Sequence, residues 1–315
     1  MKEVWYGRTV IKSSYKLCYE HAQEIIQGKG ALKMQEVVQE FRGMQGKELE
    51  TKFGEVKEAL VLLSRITRRW QENRQEEGAL NLESTEVQFE FEEAKVDSIR
   101  PKEHLEIHET VAECMIMANH WVAKKIADTF PGQSILRLHP PPKKENFDQL
   151  LSCAGSKGWA VQTGSNKALA ESLNRCSDTA DPTVNLLLRS LATLAMVQAV
   201  YFSTGSVKRE AWQHYGLALD RYTHFTSPIR RYADILVHRL LLAAVASSDW
   251  WAGDTSPPAA SLLQDRQLAD LCQHINTRNR AAQRAQRDSA TLFQTLYFKN
   301  RPLSDTRFVS SVSDS

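Results

Sequence analysis

At 315 residues the chain is long enough for one large domain or two small ones around a substantial core. Its 42% hydrophobic and 25% charged residues suit a globular protein, and 40 basic against 38 acidic side chains leave a net charge of only +2, which excludes an overall basic nucleic-acid binder: any basic surface must be local. No apolar run free of polar residues approaches the roughly 18 that a membrane span requires, and five scattered cysteines without a CxxC pair argue for a reducing compartment and against a zinc site or disulfide framework.

No signal peptide is visible, because Met1 leads straight into a mixed, strand-like run. Residues 4–11, VWYGRTVI, read as a strand whose partners would lie before residue 1. Residues 14–28 read as a helix with Tyr15, Leu17, Ala22, Ile25 and Ile26 inward, and Tyr19 on it reads as an amphipathic core residue. A second helix is expected over 49–77, with Val56, Ala59, Leu60, Leu63 and Ile66 buried and Arg65, Arg68, Arg69 and Arg74 on solvated faces. Period-2 alternation marks a strand over 85–91, TEVQFEF.

Residues 103–128 are strongly helical, with Val111, Met115, Ala118 and Val122 on one face; Glu113 and Asn119 beside it read from spacing as surface polar residues. Pro131-Gly132 is a turn, and ILRLHPPP is a short strand ending in a stiff polyproline piece. His139 there has no carboxylate or nucleophile pattern around it and reads as packing. Short helices are expected over 145–155 and 165–176, a loop over 178–182, and one long buried helix over 184–202. Residues 254–260 read as a linker, 261–298 as a last helix rich in Arg and Gln, and 299–315 as a disordered tail. Arg278, Arg280, Arg284 and Arg287 on that helix suit either a solvated face or the lining of an RNA channel.

One stretch stands out: LDRYTHFTSPIRRYADILVHR, residues 219–239. It begins as an extended aromatic run and turns helical, with Thr226 or Ser227 as cap and Pro228 at the first helical position. Ile229, Tyr232, Ala233, Leu236, Val237 and Leu240 then form an apolar face. Arg230 and Arg231 fall in the first turn, where each opposes the helix dipole by roughly 0.3–1 kcal/mol. Asp234 could pair with Arg230 at i,i+4 for about 0.2–0.5 kcal/mol, which recovers only part of that. Two readings stay open: a structural ion pair, or a phosphate site built from two guanidinium forks and free N–H groups.

HFTSPIRRYADILVHR resembles the signature of the RNB family, the ribonuclease II / ribonuclease R group, and most closely its eukaryotic exosome-associated branch. SYKLCYEHAQ, GALNLESTEVQFEF and RLHPPP are similar to other segments of that family. The resemblance implies an α+β fold, the C-terminal two-thirds of an RNB catalytic domain over residues 1–298, helix-rich with a mixed sheet. It implies a processive, magnesium-dependent 3′-to-5′ exoribonuclease acting on single-stranded RNA in RNA degradation, with exosome core subunits as partners. It also implies cytoplasmic placement, the nucleus remaining an alternative, and no membrane association. Carried over residue by residue, Arg230 becomes the catalytic phosphate clamp and Tyr19 a base-stacking ring. Glu113 becomes a contact to the terminal nucleotide, and Arg231, Asn119, Tyr222, His224, Thr226 and Ser227 become RNA-binding residues.

Members of the family hold magnesium through a D…D-x-D-D cluster, and no D-x-D-D occurs in this sequence. Gln286 stands near the point where ribonuclease II-like enzymes have an acidic residue. The resemblance implies that the N-terminal metal-binding part, the cold-shock-like and PIN modules and the downstream OB-fold barrel lie outside these 315 residues. A clamp alone does not activate water. The chain by itself is therefore expected to be weak or inactive, as a fragment, splice product or partial gene model. The alternative is a non-catalytic RNA-binding or regulatory fragment that uses the same residues; a helical scaffold with no RNA role is the third reading.

Overall fold

The computed structural model describes residues 3–80, 87–92, 95–101, 104–178, 181, 183–246 and 265–299. The chain divides into two units, residues 1–83 with 104–275, and residues 84–103 with 276–315.

The first unit opens with a helical layer: α1 (Tyr19–Ile26), α2 (Ala31–Val37) and α3 (Gly46–Glu76). Ile25, Met34, Phe41, Leu49 and Phe53 close a core between them. The strand expected over 4–11 does not form. No described strand lies alongside, so its backbone would have no ladder. Tyr6 instead donates its hydroxyl to the Trp121 carbonyl at 2.9 Å. Helix α3 ends where Gly78 adopts φ +101°, and a Cβ at that position would come within 2.8 Å of the Lys167 amide nitrogen. Both facts require glycine, and the tight turn returns the Ala79 N–H to the Arg74 carbonyl at 2.7 Å.

Helix α4 (Glu106–Thr129) packs on α3 and on α8 (Tyr232–Ala246). Val122, Ala123 and Ile126 of α4 share a core with Leu236, Val237 and Leu240 of α8. That core also takes in β3 (Ile135–Leu138) and β4 (Val200–Ser203), which pair antiparallel from Ile135–Ser203 to Leu138–Val200. The helix expected over 184–202 thus ends early: α7 runs only over Thr183–Ala195, and the last residues of that stretch enter β4. Pairing with β3 buries Tyr201 and Phe202, and that tertiary contact overrides the helical reading. Between these lie α5 (Asp148–Ser156) and α6 (Asn166–Arg175), which with α7 enclose Phe147, Leu150, Leu169 and Leu188.

The second unit pairs β1 (Val87–Glu92) with β2 (Lys95–Pro101), and Phe89 and Phe91 set their rings 5.7 and 5.2 Å from Phe293 of α9 (Asp265–Phe298). Both sheets are two-stranded and antiparallel; the only parallel pairing among the described residues is the isolated His139–His214 bridge, so the expected mixed sheet reduces to that. The linker over 254–260 and residues 300–315 of the tail lie outside the described residues. Among the described residues no helix is long and apolar enough to cross a membrane.

The apolar stripes read from sequence on α3 and α4 are partly displaced. Leu63 and Ile66 are exposed, and the second half of α3 instead buries Ser64, Thr67 and Arg74. Opposite them α4 buries Thr110 and Glu113. The seam is polar and satisfied: Thr110 Oγ1 lies 3.2 Å from Ser64 Oγ, Gln71 donates to Glu109 at 2.9 Å, and Arg74 pairs with Glu113. Hydrophobic periodicity cannot detect such a seam.

Candidate nucleic-acid interface

The stretch from Arg221 to Ser227 is extended, and several of its backbone groups are held by partners from α4, α8 and β3. His120 holds the Arg221 carbonyl at 2.8 Å, and the Arg137 N–H donates to the Tyr222 carbonyl at 2.7 Å. Thr223 donates its hydroxyl to the Ile135 carbonyl at 2.8 Å. The Phe225 and Thr226 N–H groups both donate to Asn119 Oδ1, at 2.8 and 3.2 Å. His238 holds the Phe225 carbonyl at 2.9 Å and stacks on its ring at 4.2 Å. The Ser227 N–H donates to Asp234 Oδ1 at 2.7 Å.

This corrects the expected start of the signature helix. Residues 228–230 form a turn, with the Arg230 and Arg231 N–H groups both on the Ser227 carbonyl at 3.2 Å, and α8 begins at Tyr232. Ile229 is 96% exposed and Tyr232 54% exposed, so neither belongs to the apolar face. The anion at the helix mouth is the protein's own. Asp234, fully buried in the first turn of α8, takes Arg231 rather than Arg230, with Nε at 2.8 Å and the second fork nitrogen at 2.9 Å. Spacing favoured Arg230 at i,i+4; the turn instead brings Arg231 round at i,i+3. Of the N–H groups expected to be free there, those of Ser227, Arg230 and Arg231 are occupied.

Arg230 is left outward. It is exposed, and among the described residues its guanidinium has no hydrogen-bond or ion-pair partner. Close by, Arg137 lies 4.9 Å over the Tyr201 ring, and the Tyr201 hydroxyl shares a hydrogen with His224 Nδ1 at 2.5 Å. Burial first, then the Arg137, Arg231 and Arg230 charges, push the His224 imidazole down to about 2. Burial, His139 and Arg137 push His214 down to about 3. The site therefore gathers neutral rings, with Tyr201, Tyr222, His214 and His224 edge to face, Arg137 over Tyr201, and Arg231 paired with Asp234. The exposed Arg230, whose charge reaches His224, adds a cation that attracts a polyanion.

Those two imidazoles also set an acid sensitivity. Their folded values lie below the free value of 6.5, so protons favour the unfolded chain. Stability is fully present above 6.5 and is eroded as the pH falls toward 3. By pH 5.5 each should have cost roughly 1 kcal/mol. Thermal melts at neutral pH and about one unit below the free imidazole value should show this as a lower Tm; an unchanged Tm would remove the role assigned to the pair.

The other expected site residues separate into exposed and internal. Tyr19, the first residue of α1, is 45% exposed, with its ring edge-on to His108 at 4.5 Å, so a face remains open. Thr226 and Ser227 are half-buried, Thr226 accepting from Arg231 at 3.4 Å. Tyr222 is buried, its hydroxyl accepting from Asn119 Nδ2 at 3.0 Å. Asn119 is buried with all its polar atoms spent on protein. Glu113 is buried against Arg74, whose other fork nitrogen donates to the Leu217 carbonyl at 3.2 Å. Direct RNA contact by Tyr222, Asn119 or Glu113 has no free surface to use. Arg278, Arg284 and Arg287 of α9 are solvated, and Arg280 donates to the Asn276 carbonyl at 3.4 Å in the second unit.

Sequence reasoning missed Arg74, Arg137 and Tyr201, because their partners lie far away in the chain. For Arg137 a signal existed in its place on a strand of two-faced burial, ILRL, within RLHPPP. Among the described residues no three His, Cys, Asp or Glu side chains come together in a group able to hold a metal ion.

Comparison with known proteins agrees with this architecture. The RNB domain family matches residues 1–247. A probable exosome complex exonuclease RRP44 of Caenorhabditis elegans is 40% identical over 314 residues, 99% of this chain and 30% of that protein. The exosome complex exonuclease RRP44 of Homo sapiens is 42% identical over 241 residues, 76% of this chain and 24% of that protein. Mycoplasma genitalium RNase R, solved in complex with ribose methylated single-stranded RNA, superposes with a TM-score of 0.66 at 19% identity, covering 89% of this chain and 39% of that one. At that identity the likeness shows the fold alone. The chain spans about a third or less of the length of the curated relatives it matches. With the family match covering well over half of it, the chain belongs to the RNB domain family.

Proposed function

We propose that this chain is the RNA-gripping part of a 3′-to-5′ exoribonuclease of the exosome-associated type, acting on single-stranded RNA. The observation that supports this most is the guanidinium group at the signature turn. Arg231 is held by Asp234, Arg137 lies over Tyr201, and Arg230 is exposed, with no hydrogen-bond or ion-pair partner among the described residues. An exposed guanidinium on a turn whose neighbouring arginine is already paired suits a phosphate, and Tyr19 offers a ring face for a base.

In this reading Arg230 steadies the scissile phosphate and its developing charge, while activation of water belongs to aspartates that this sequence does not contain. Magnesium and exosome core subunits enter with the longer protein that the relatives represent. The chain alone should bind single-stranded RNA with a salt-dependent affinity and release no mononucleotides from end-labelled RNA in magnesium buffer. Nucleotide release by the purified chain would overturn the inactive assignment, and affinity indifferent to salt would overturn the phosphate grip.

Arg230→Ala should weaken RNA binding about tenfold, the loss expected for one charge-assisted phosphate contact. Its effect on melting should stay within roughly 0.5 kcal/mol, because the side chain is exposed and holds nothing. Equal RNA affinity in the variant, or a large drop in Tm, would contradict the role.

A further inference from the structure

We infer that Asn119 is a positioning residue, which from α4 holds the signature turn in the shape that presents Arg230 to an RNA phosphate; the inference rests on the function proposed above.

Asn119 is 2% exposed and sits mid-helix, where asparagine has no local use for both halves of its amide. Here both are used at long range. Oδ1 accepts from the N–H groups of Phe225 and Thr226, and Nδ2 donates to the Tyr222 hydroxyl. One side chain thus fixes two successive amides and the ring that precedes them. The next amide, Ser227, is fixed by Asp234 of α8, and Pro228 has none to fix. The Ser227 carbonyl then accepts the N–H groups of Arg230 and Arg231. The core of α4 is thus tied by hydrogen bonds to Thr226, the chain itself joins Thr226 to Ser227, and the Ser227 carbonyl is bonded to the backbone of Arg230. The two anchors come from helices that pack on each other, so the turn is held from both sides by one rigid frame.

No other residue type reproduces the arrangement in full. Leucine matches the volume but leaves two buried amides without acceptors. Aspartate keeps the acceptor for both amides, and its second oxygen can accept from the Tyr222 hydroxyl if that hydroxyl reverses its role. Asn119→Asp is thus the conservative variant and Asn119→Leu the disruptive one.

The test is a double-mutant cycle on the 315-residue chain, with a labelled oligouridylate titrated at about 50 to 200 mM salt and magnesium chelated. Asn119→Leu should lower affinity about as much as Arg230→Ala does and flatten the salt slope by the same amount, about one unit or slightly less. The double variant should lose nothing further, and Asn119→Asp should restore most of the loss. A structural role alone would lower Tm but leave the full Arg230→Ala effect in the Asn119→Leu background, and that additivity would overturn the inference. Should Asn119→Leu fail to melt cooperatively, Tyr222→Phe removes only the third bond. It should reduce the Arg230→Ala effect on RNA affinity, and an undiminished effect would overturn the inference equally. If Arg230→Ala itself left RNA binding untouched in the wild-type background, the proposed function would fall, which is a different result from additivity in the cycle.

Discussion

Asp234→Ala should lower the stability of the first unit by about 3 kcal/mol, seen as a fall in Tm of roughly 6–12 °C. The carboxylate is fully buried and satisfies three donors at once: the Ser227 N–H at 2.7 Å, Arg231 Nε at 2.8 Å and the second fork nitrogen of Arg231 at 2.9 Å. Truncation leaves the Ser227 amide unsatisfied and removes the counter-charge of a partly buried guanidinium, losses that for a fully buried pair reach about 3–5 kcal/mol. The lower end applies because the Arg231 side chain is 21% exposed and can turn to water. The reverse truncation has no such escape. Arg231→Ala strands a carboxylate with 0% exposure, so it should cost at least as much as Asp234→Ala despite removing the more exposed partner. Tm values within a degree of wild type for both variants, or Arg231→Ala clearly the milder, would show that the pair does not hold the turn.

The same few residues show what a linear reading can see. Residues 219–239 could be singled out because two arginines sit where a helix dipole disfavours them, and Arg230 does face outward with no partner among the described residues. Which arginine the aspartate would take was not legible. Helical spacing assumes the helix has already begun at Pro228, whereas side chains from two helices, Asn119 and Asp234, capture the intervening amides and delay α8 to Tyr232. Local propensity does not know about acceptors a hundred residues away. The long helix over 184–202 fails for the same reason: Val200, Tyr201 and Phe202 are apolar enough for either state, and the β3 partner decides. By contrast the helices at 49–77 and 103–128 were readable from composition and period, although the faces they bury were not, since their shared seam is built from matched polar groups.

That seam separates two accounts of Glu113. The resemblance makes it a contact to the terminal nucleotide, while the structure gives both its oxygens to Arg74, through Nε at 3.1 Å and a second, shorter bond from the fork. Glu113→Ala should then cost about 3–5 kcal/mol, because Arg74 is nearly as buried as its partner and keeps only the Leu217 carbonyl. Glu113→Gln should cost less, since it keeps one acceptor while losing the charge. Replacing both partners by apolar residues of similar length, Glu113→Leu with Arg74→Met, should recover most of the stability lost in Glu113→Ala, because no charge is then stranded. The double variant also isolates the chemical question. If Glu113 serves only the seam, its RNA affinity should match wild type once the fold is restored. A restored Tm with RNA affinity still reduced tenfold or more would mean that the carboxylate leaves Arg74 to meet the nucleotide, and the internal role assigned to it would be wrong.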